Sequence, residues 1–245
     1  MNRAHETQIP VNGRKGVMEA MDQLNHIASV IALTMGVGWA SGINLYACIF
    51  MLGILGATGN IVLPPSLHIL ANPLVLVASG FMYCVEFFAD KIPGVDSGWD
   101  ALHTFIRIPA GAALAAGAVG STHPAVSLAA AIVGGGMAAS THATKAGTRV
   151  LINTSPEPFT NWTASFFEDV IVVLGLWTAL NHPWLFLLLL IAFILLMIWL
   201  LPKLWQAIRK VFSFIGNLFR GERLRAPLPP VETQGKPAGQ PAGNA

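Results

Sequence analysis

GGGMAASTHATKAGTR, residues Gly134–Arg149, is the stretch that decides the fold of this 245-residue chain. It is rich in glycine, alanine, serine and threonine and lies within apolar sequence, with His142, Lys145 and Arg149 at i, i+3 and i+7. That spacing places all three on one helical face. Small residues let helices approach closely in a bilayer, and cations at that depth need a partner or a function. The stretch predicts a membrane helix that brings polar groups into a bundle interior.

A shorter stretch, GVGWASGIN at 36–44, repeats this pattern about a hundred residues earlier. The alignment pairs Asn44 with His142. In each half the next apolar segment carries acids, namely Glu86 in the first half and Glu168 and Asp169 in the second. Three segments per half is an odd number, so the two halves would be inverted in the membrane. We therefore predict an inverted repeat of residues 24–121 and residues 124–202.

The composition excludes an ordinary soluble domain. Hydrophobic residues make up 54% of the chain and charged residues only 11%, against roughly 25% charged in soluble domains. The two cysteines, Cys48 and Cys84, lie in apolar segments without metal or redox spacing. Motifs for nucleophilic catalysis, nucleotide binding or zinc binding are missing from the sequence. We predict no catalytic residue, no cofactor and no metal.

The hydropathy pattern predicts an all-α, polytopic membrane protein with about six transmembrane helices. A cytoplasmic N-terminal segment, 1–23, precedes the six-helix domain, 24–202, and an amphipathic interfacial helix, 203–220, follows it. The proline- and glycine-rich tail, 221–245, is predicted to be disordered. Glycines interrupt the first apolar segment, which fits either one long tilted helix or a helix broken near those glycines.

Lysine and arginine set the predicted orientation. The three proposed external loops, 57–73, 120–124 and 180–184, contain neither residue. This positive-inside pattern predicts that both termini are cytoplasmic. The expected partner is the lipid bilayer, with anionic lipids at the basic face of the C-terminal helix. A homo-oligomer is compatible with the sequence, whereas nucleic acid is not expected because aromatic residues interleave that basic face.

Seven polar residues within the apolar segments form the hypothesised substrate-binding or ion-coupling site. They are Asn44, Glu86, His142, Lys145, Arg149, Glu168 and Asp169. Cations on the fourth segment lie at a depth similar to that of the acids on the fifth, so an ion-paired cluster is expected. Such a cluster would be either structural or functional, and it would bind an anion where cations outnumber carboxylates.

Single residues in this set leave alternatives open. Glu86 is either a proton-exchanging carboxylate or an interfacial acid paired with Lys91 or Arg107. His142 is either a packed hydrogen-bonding residue or a proton relay.

A cytoplasmic acidic turn contributes Asp90, Asp96 and Asp100. These carboxylates suit a divalent cation, and they suit a helix-capping turn in which Asp96 caps the next helix equally well.

The order of these motifs resembles a family of bacterial membrane proteins. Its elements here are GVGWASGIN, then E-x3-DKIPGVD, a small-residue segment, H-x2-K-x3-R and SFFED, spread over residues 27–201. The resemblance is to the domain-of-unknown-function family 4126. It implies a bacterial inner-membrane location and polar positions that define the group, and it implies no particular chemistry.

Three functions follow as hypotheses. The first is a small transporter or channel-like protein with a central polar site for an ion, a small solute or a phosphate-bearing lipid. The second is a non-catalytic membrane scaffold or assembly partner whose polar residues hold the helices together. The third is a membrane enzyme that acts on lipid head groups through the cytoplasmic aspartates.

Overall fold

The computed structural model describes residues 11–92, 94–120, 123–154 and 158–219, and the described chain is all-α, as predicted. Its seven helices are α1 (Val11–Ala57), a 3₁₀ helix (Pro65–Ala71), α2 (Pro73–Ala89), α3 (Val95–Ala118), α4 (Pro124–Ile152), α5 (Pro158–Asn181) and α6 (Pro183–Phe219). The predicted disordered tail, 221–245, and the first ten residues of the predicted N-terminal segment lie outside the described residues.

Proline and glycine mark most of the helix boundaries. Proline is the first residue of α2, α4, α5 and α6, where its fixed φ suits a helix and its missing N–H costs no hydrogen bond. The Asn72 side chain caps α2 by accepting a hydrogen bond from the Leu74 amide at 2.9 Å. Gly59, Gly94 and Gly120 adopt positive φ in the turns that follow or precede helices, a conformation that favours glycine.

Three helices extend past the apolar segments that predicted them. α3 begins at Val95, ten residues before its apolar run starts at Phe105, because Gly94 and not the apolar run sets its first turn. α6 continues through Pro202 to Phe219, so the amphipathic segment 203–220 is no separate helix. Proline is tolerated inside membrane helices, where only one backbone bond is lost. α1 begins at Val11, so much of the predicted N-terminal segment belongs to the first helix.

Four helices of the described chain are long and apolar enough to cross a membrane. They are Arg14–Ala57, Pro124–Ile152, Phe159–Asn181 and Pro183–Ser213. The 3₁₀ helix and α2, bent by 67° relative to each other, would together make a fifth. α3 is not among them, and it carries Asp96, Asp100 and Arg107. Large apolar side chains such as Leu188 and Leu195 are exposed on the outer surface, as lipid contact requires.

α1 is the central helix and packs against α2, α3, α4 and α5. It approaches α4 closely at two glycines, since a Cβ built on Gly42 would clash with the backbone of Ala138 and one built on Gly38 would lie 2.8 Å from the carbonyl oxygen of Gly134. A Cβ built on Gly111 of α3 would lie 2.6 Å from the Cβ of Ala138 on α4. The two small-residue stretches therefore face each other, and larger side chains would force the helices apart.

α1 is broken in the middle, at Asn44 (φ −144°, ψ 98°). This finding decides between the two predicted forms of the first segment in favour of the broken helix. The break directly follows GVGWASG, the small-residue stretch that lets α4 approach. α4 has no corresponding interruption at His142, which lies in continuous helix.

Contacts divide the chain into two units, Met1–Ile208 and Arg209–Ala245. The first contains α1 to α5 and most of α6. The described part of the second is the last stretch of α6, in which Arg209, Lys210 and Phe212 are all exposed.

Candidate functional site

Seven charged side chains from four helices meet inside the bundle, and we call them the charged cluster. Its members are Glu86, Asp90, Asp100, Arg107, Lys145, Arg149 and Glu168. They come from the C-terminal ends of α2 and α4 and from the N-terminal halves of α3 and α5. All are buried apart from Glu168, whose side chain is 19% exposed. These helix ends adjoin the loops that are predicted to be cytoplasmic. The charged cluster therefore lies in the half of the bundle next to those loops.

Arg107 is the innermost cation of the charged cluster and is fully buried. Its Nη2 donates to Glu86 Oε1 at 2.5 Å, and its Nη1 lies 3.3 Å from Asp100 Oδ1. Nη1 also donates to the backbone carbonyl of Ile43 at 3.1 Å. One guanidinium thus ties α3 to α2 and to the centre of α1, which suits the fixed fork geometry of arginine.

Lys145 lies among four carboxylates. Its Nζ donates to Asp90 Oδ2 at 2.7 Å and lies 3.4 Å from Glu86 Oε1, 3.5 Å from Glu168 Oε2 and 3.9 Å from Asp100 Oδ1. A compact ammonium with three donors serves several acceptors at once. Lys145 therefore connects the acids of α2, α3 and α5.

Arg149 forms the outer part of the charged cluster. It donates to both oxygens of Glu168, from Nε at 3.2 Å and from Nη2 at 2.7 Å. This two-point contact is the strongest arrangement available to arginine and a carboxylate. Nη1 donates to the Asn161 side-chain oxygen at 3.0 Å and to the Asp90 carbonyl at 3.0 Å. The predicted ion pairing of Lys145 and Arg149 with Glu168 is present.

The break in α1 supplies backbone acceptors to the same place. With α1 interrupted at Asn44, the carbonyl of Ile43 has no regular helical partner and accepts from both Arg107 and Lys145 Nζ, each at 3.1 Å. The Asn44 Oδ1 accepts from the Ala47 amide at 2.9 Å and so caps the second part of the helix. Unwound carbonyls that face cations are a feature of broken helices in transporters.

Asp169 is the acid that the cations do not reach. It makes no ion pair with any described residue, and its Oδ1 accepts one hydrogen bond, from Asn44 Nδ2 at 3.0 Å. Its Oδ2 is buried without a described hydrogen-bond partner. The predicted association of Asp169 with Lys145 and Arg149 is therefore wrong at the level of direct pairing, because Glu168 on the adjacent position takes both cations.

Asp96 closes the charged cluster toward the predicted cytoplasmic loops. Asn153 Nδ2 donates to both of its oxygens, at 2.8 and 2.9 Å, and Asn161 Nδ2 donates at 3.3 Å. The amides of Gly94 and Ser97 donate to Oδ1 as well. Asp96 lies inside the first turn of α3, so the predicted role as a helix cap is corrected to a hub that joins α3, α4 and α5.

His142 is a neutral hydrogen-bonding residue in this geometry. Arg107 Nη1 lies 3.2 Å from Nδ1, and arginine can only donate, so Nδ1 carries no proton. The other nitrogen, Nε2, lies 3.1 Å from the carbonyl of Asp100 and 2.7 Å from Thr104 Oγ1. This arrangement favours the packed role over the proton relay, since a second ring proton would point at Arg107.

The acids outnumber the cations. Four carboxylates of the charged cluster, with Asp96 and Asp169 beside them, face only Arg107, Lys145 and Arg149. Several buried carboxylate oxygens have no described hydrogen-bond donor: Glu86 Oε2, Asp90 Oδ1, Asp100 Oδ2 and Asp169 Oδ2. An excess of buried negative charge attracts cations or protons and disfavours anions. The condition for binding an anion, an excess of cations over carboxylates, is not met among the described residues of this cluster.

The sequence named Arg107 only as a possible partner of Glu86, and it gave no role to Asn153 and Asn161. The available signal was Asp100-x2-His103-x3-Arg107, which has the same spacing as the motif from His142 to Arg149 and places another polar face on a helix.

Every predicted site residue except Asp169 belongs to this network through direct contacts with its charges or, for Asn44, through the α1 break. Glu86 pairs with Arg107, one of the two cations proposed for it. Within the described ranges, no group of three or more His, Cys, Asp or Glu side chains is arranged to hold a metal ion.

These features define a multi-helix membrane protein whose helices enclose a buried network of charged side chains. The chain belongs to the family described as Domain of unknown function (DUF4126), which matches residues 31–203. The resemblance carried by the sequence motifs is thereby confirmed. Comparisons with curated proteins and with solved structures gave no match.

Proposed function

We propose that the protein is a small membrane transporter or channel-like protein whose coupling site is the charged cluster at the α1 break. The observation that carries this proposal is the joining of two features at one place. A helix interrupted in mid-course directs freed carbonyls inward, and a buried group of acids exceeds its cations there. Intramembrane ionisable groups are costly and usually mark ion or substrate paths.

The charge excess narrows the proposed cargo to a cation or a proton. Buried carboxylates without donors are each destabilising, and a bound cation or proton relieves that cost. A phosphate-bearing lipid would add negative charge to a site that already has an excess. Access would come from the side of Glu168 and Asp169, the two acids whose side chains are partly exposed.

The proposal includes six spans, with α3 as the additional one. Its 24 residues reach about 36 Å, enough for a hydrocarbon core of about 30 Å. Asp96, Asp100 and Arg107 are buried in the bundle, so lipid would not meet them. An inner-membrane location with cytoplasmic termini, and anionic lipids at exposed Lys203, Arg209 and Lys210, belong to the same proposal.

The inverted repeat is also part of the proposal. Gly38 and Gly134, from the two aligned stretches, pack against each other. The second helix of each half, α2 and α5, delivers acids to the same cluster through Glu86 and Glu168. Asymmetry between the halves resides in α1, which is broken where α4 is continuous.

A scaffold is the second candidate, and the close glycine and alanine contacts of α3 and α4 favour it. Gly134 has no room for a side chain beside Ala115, and such contacts serve stable assembly as well as transport. We propose no enzymatic role, because Asp96 and Asp100 are buried away from the lipid head groups that they would have to reach.

Flux measurements separate transport from a scaffold. The purified full chain would be reconstituted in vesicles that contain a pH-sensitive or a sodium-sensitive dye. A membrane potential would then be imposed, and the uptake of protons or sodium would be recorded from the dye. Transport predicts uptake by the native protein and at least tenfold slower uptake with Glu168→Gln, whereas exposed Lys203→Gln behaves as native. A scaffold predicts no uptake above protein-free vesicles, together with loss of stability in Glu168→Gln.

A further inference from the structure

Asp169 differs from every other acid near the α1 break. The acids of the charged cluster each contact a cation within 4 Å, and Asp96 accepts several N–H donors. Asp169 accepts a single hydrogen bond from a neutral amide, Asn44 Nδ2. It lies near the middle of α5, as Asn44 lies near the middle of the apolar part of α1. An ionised carboxylate there has little to stabilise it.

No described group donates to the second oxygen of Asp169, Oδ2, which is buried. Ser165 lies one turn before Asp169 on α5 and is 1% exposed, yet its hydroxyl makes no hydrogen bond to that oxygen or to any other described group. An ionised Oδ2 therefore lacks a donor, whereas a protonated Asp169 carries no charge into this position.

We infer that Asp169 binds a proton, and that this proton weakens the Asn44–Asp169 hydrogen bond which links α5 to the break in α1. The inference rests on the proposed transport function and names the proton as the coupling ion. A proton from water bonds to Asp169 Oδ2 and the carboxylate becomes neutral. Asn44 Nδ2 then donates to a neutral acid instead of a charged one, a bond roughly half as strong.

The surroundings of Asp169 contain both signs of charge at longer range. Lys145 on α4, Lys91 after α2 and Asp90 are the charged groups around it. The phenol of Tyr83 on α2 is also within electrostatic reach, and Glu168 precedes Asp169 on its own helix. Lys145 is already paired with four other acids, Glu168, Asp90, Glu86 and Asp100. Asp169 is therefore the acid of this group that is left to accept a proton.

Asp169 is less deeply buried than most acids of the charged cluster. Asp169 and Glu168 have intermediate exposure, whereas Glu86, Asp90 and Asp100 are buried. Because Asn44 both caps the second part of α1 and donates to Asp169, the proton acts on the one residue that shapes the break.

Infrared difference spectroscopy of the full chain in lipid tests this inference. Protonated carboxyl groups absorb at a different infrared frequency from carboxylates, so the two forms can be told apart. The spectrum would be recorded at pH values from about 5 to about 8. The expected result is a protonated-carboxyl band that disappears as the pH rises. Asp169→Asn removes this band, whereas Asp22→Asn, at an exposed carboxylate on α1, leaves it in place. A band that persists in Asp169→Asn, or no such band in the native protein, overturns the inference.

Two further variants keep the test valid if Asp169→Asn does not fold. Asp169→Glu retains a carboxyl group and should move the band to the frequency of glutamic acid. Asn44→Ala removes the hydrogen bond that favours the carboxylate, so the midpoint of the band should rise by about one pH unit, since that unit corresponds to about 1.4 kcal/mol. An unchanged midpoint in Asn44→Ala would refute the link to the α1 break.

The same samples distinguish failure of this inference from failure of the proposed function. If Asp169 titrates as expected but vesicles take up neither protons nor sodium, the proton site stands and transport falls. If vesicles take up sodium at a rate that is independent of pH and equal in Asp169→Asn, transport stands and the proton site falls.

Discussion

Replacing Arg107 by methionine is expected to destabilise the protein by about 3 kcal/mol, near the lower end of the range for breaking a buried ion pair. The change keeps an unbranched apolar stem and removes the guanidinium. Glu86 and Asp100 lose their nearest cation, and the carbonyl of Ile43 loses one of its two donors. Lys145 still lies 3.4 Å from Glu86 and 3.9 Å from Asp100, which is why the loss should not reach the upper end.

The assay is thermal unfolding of the purified protein in detergent, in which Arg107→Met is compared with the native protein. At roughly 2–4 °C per kcal/mol for a chain of this size, the unfolding midpoint should fall by about 6–12 °C. Arg14→Met is the matched control, because Arg14 is exposed on α1, and it should stay within about 0.5 kcal/mol of native.

A double variant sharpens the test. Glu86→Gln combined with Arg107→Met removes both charges of the shortest ion pair, so the combined loss should be at least about 1 kcal/mol smaller than the sum of the single losses. If Arg107→Met unfolds like Arg14→Met, or if the two cluster variants are simply additive, the charged cluster does not hold the helices together as described.

Three other predictions concern packing, the acidic hub and the topology. Gly134→Val should cost about 1–3 kcal/mol in unfolding free energy, because its side chain would meet Ala115, whereas Gly136→Val, which faces open space, should be near native in the same thermal assay. Asn161→Ala should lower the unfolding free energy by about 1–3 kcal/mol, because Asp96 and Arg149 each lose a hydrogen-bond partner. Thr163→Ala, at an exposed position, should unfold like the native protein. A cysteine at Asn60, in a cysteine-free background, should react with an impermeant maleimide from outside intact cells, and labelling only after lysis would contradict the six-span orientation.

Much of the fold could be predicted from hydropathy. Pro124 and the polar turn after Ile152 mark both ends of α4 in the sequence. The first residues of α3 are not marked in this way, because Asp96, Asp100 and His103 interrupt its hydropathy although they lie on a continuous helix. A polar face that is buried in a bundle lowers mean hydropathy as much as a loop does, so composition alone cannot separate the two.

The ion pairs of the site could be predicted from the sequence, but the excess of acids over cations could not. The i, i+3, i+7 spacing on α4 and the acids on α5 predicted the contact of Lys145 with Glu168, which the structure contains. Arg107 was predicted only as a possible partner of Glu86, and its further contacts with Asp100 and the Ile43 carbonyl could not be predicted because a cation near a helix end is normally interfacial. Which of two adjacent acids would take the cations depends on the rotation of α5, and no sequence spacing fixes that rotation, so Asp169 was grouped with Glu168.

The break at Asn44 could be predicted only in part. Small residues at 36–42 predicted a helix that either bends or continues, and local propensity does not decide between them. The deciding interactions are tertiary: Lys145 and Arg107 hold the Ile43 carbonyl, and Asp169 holds the Asn44 amide. These partners arrive from α3, α4 and α5, far away in the sequence.

The central claim is that an acid-rich, buried cluster at a broken helix binds a cation or a proton within the membrane. The most direct test measures charge movement on a solid-supported membrane that carries the reconstituted full chain, after a rapid step in pH or in sodium concentration. The account predicts a transient current in the native protein that is reduced at least tenfold by Glu168→Gln. A response equal to that of protein-free membranes for both steps would contradict it.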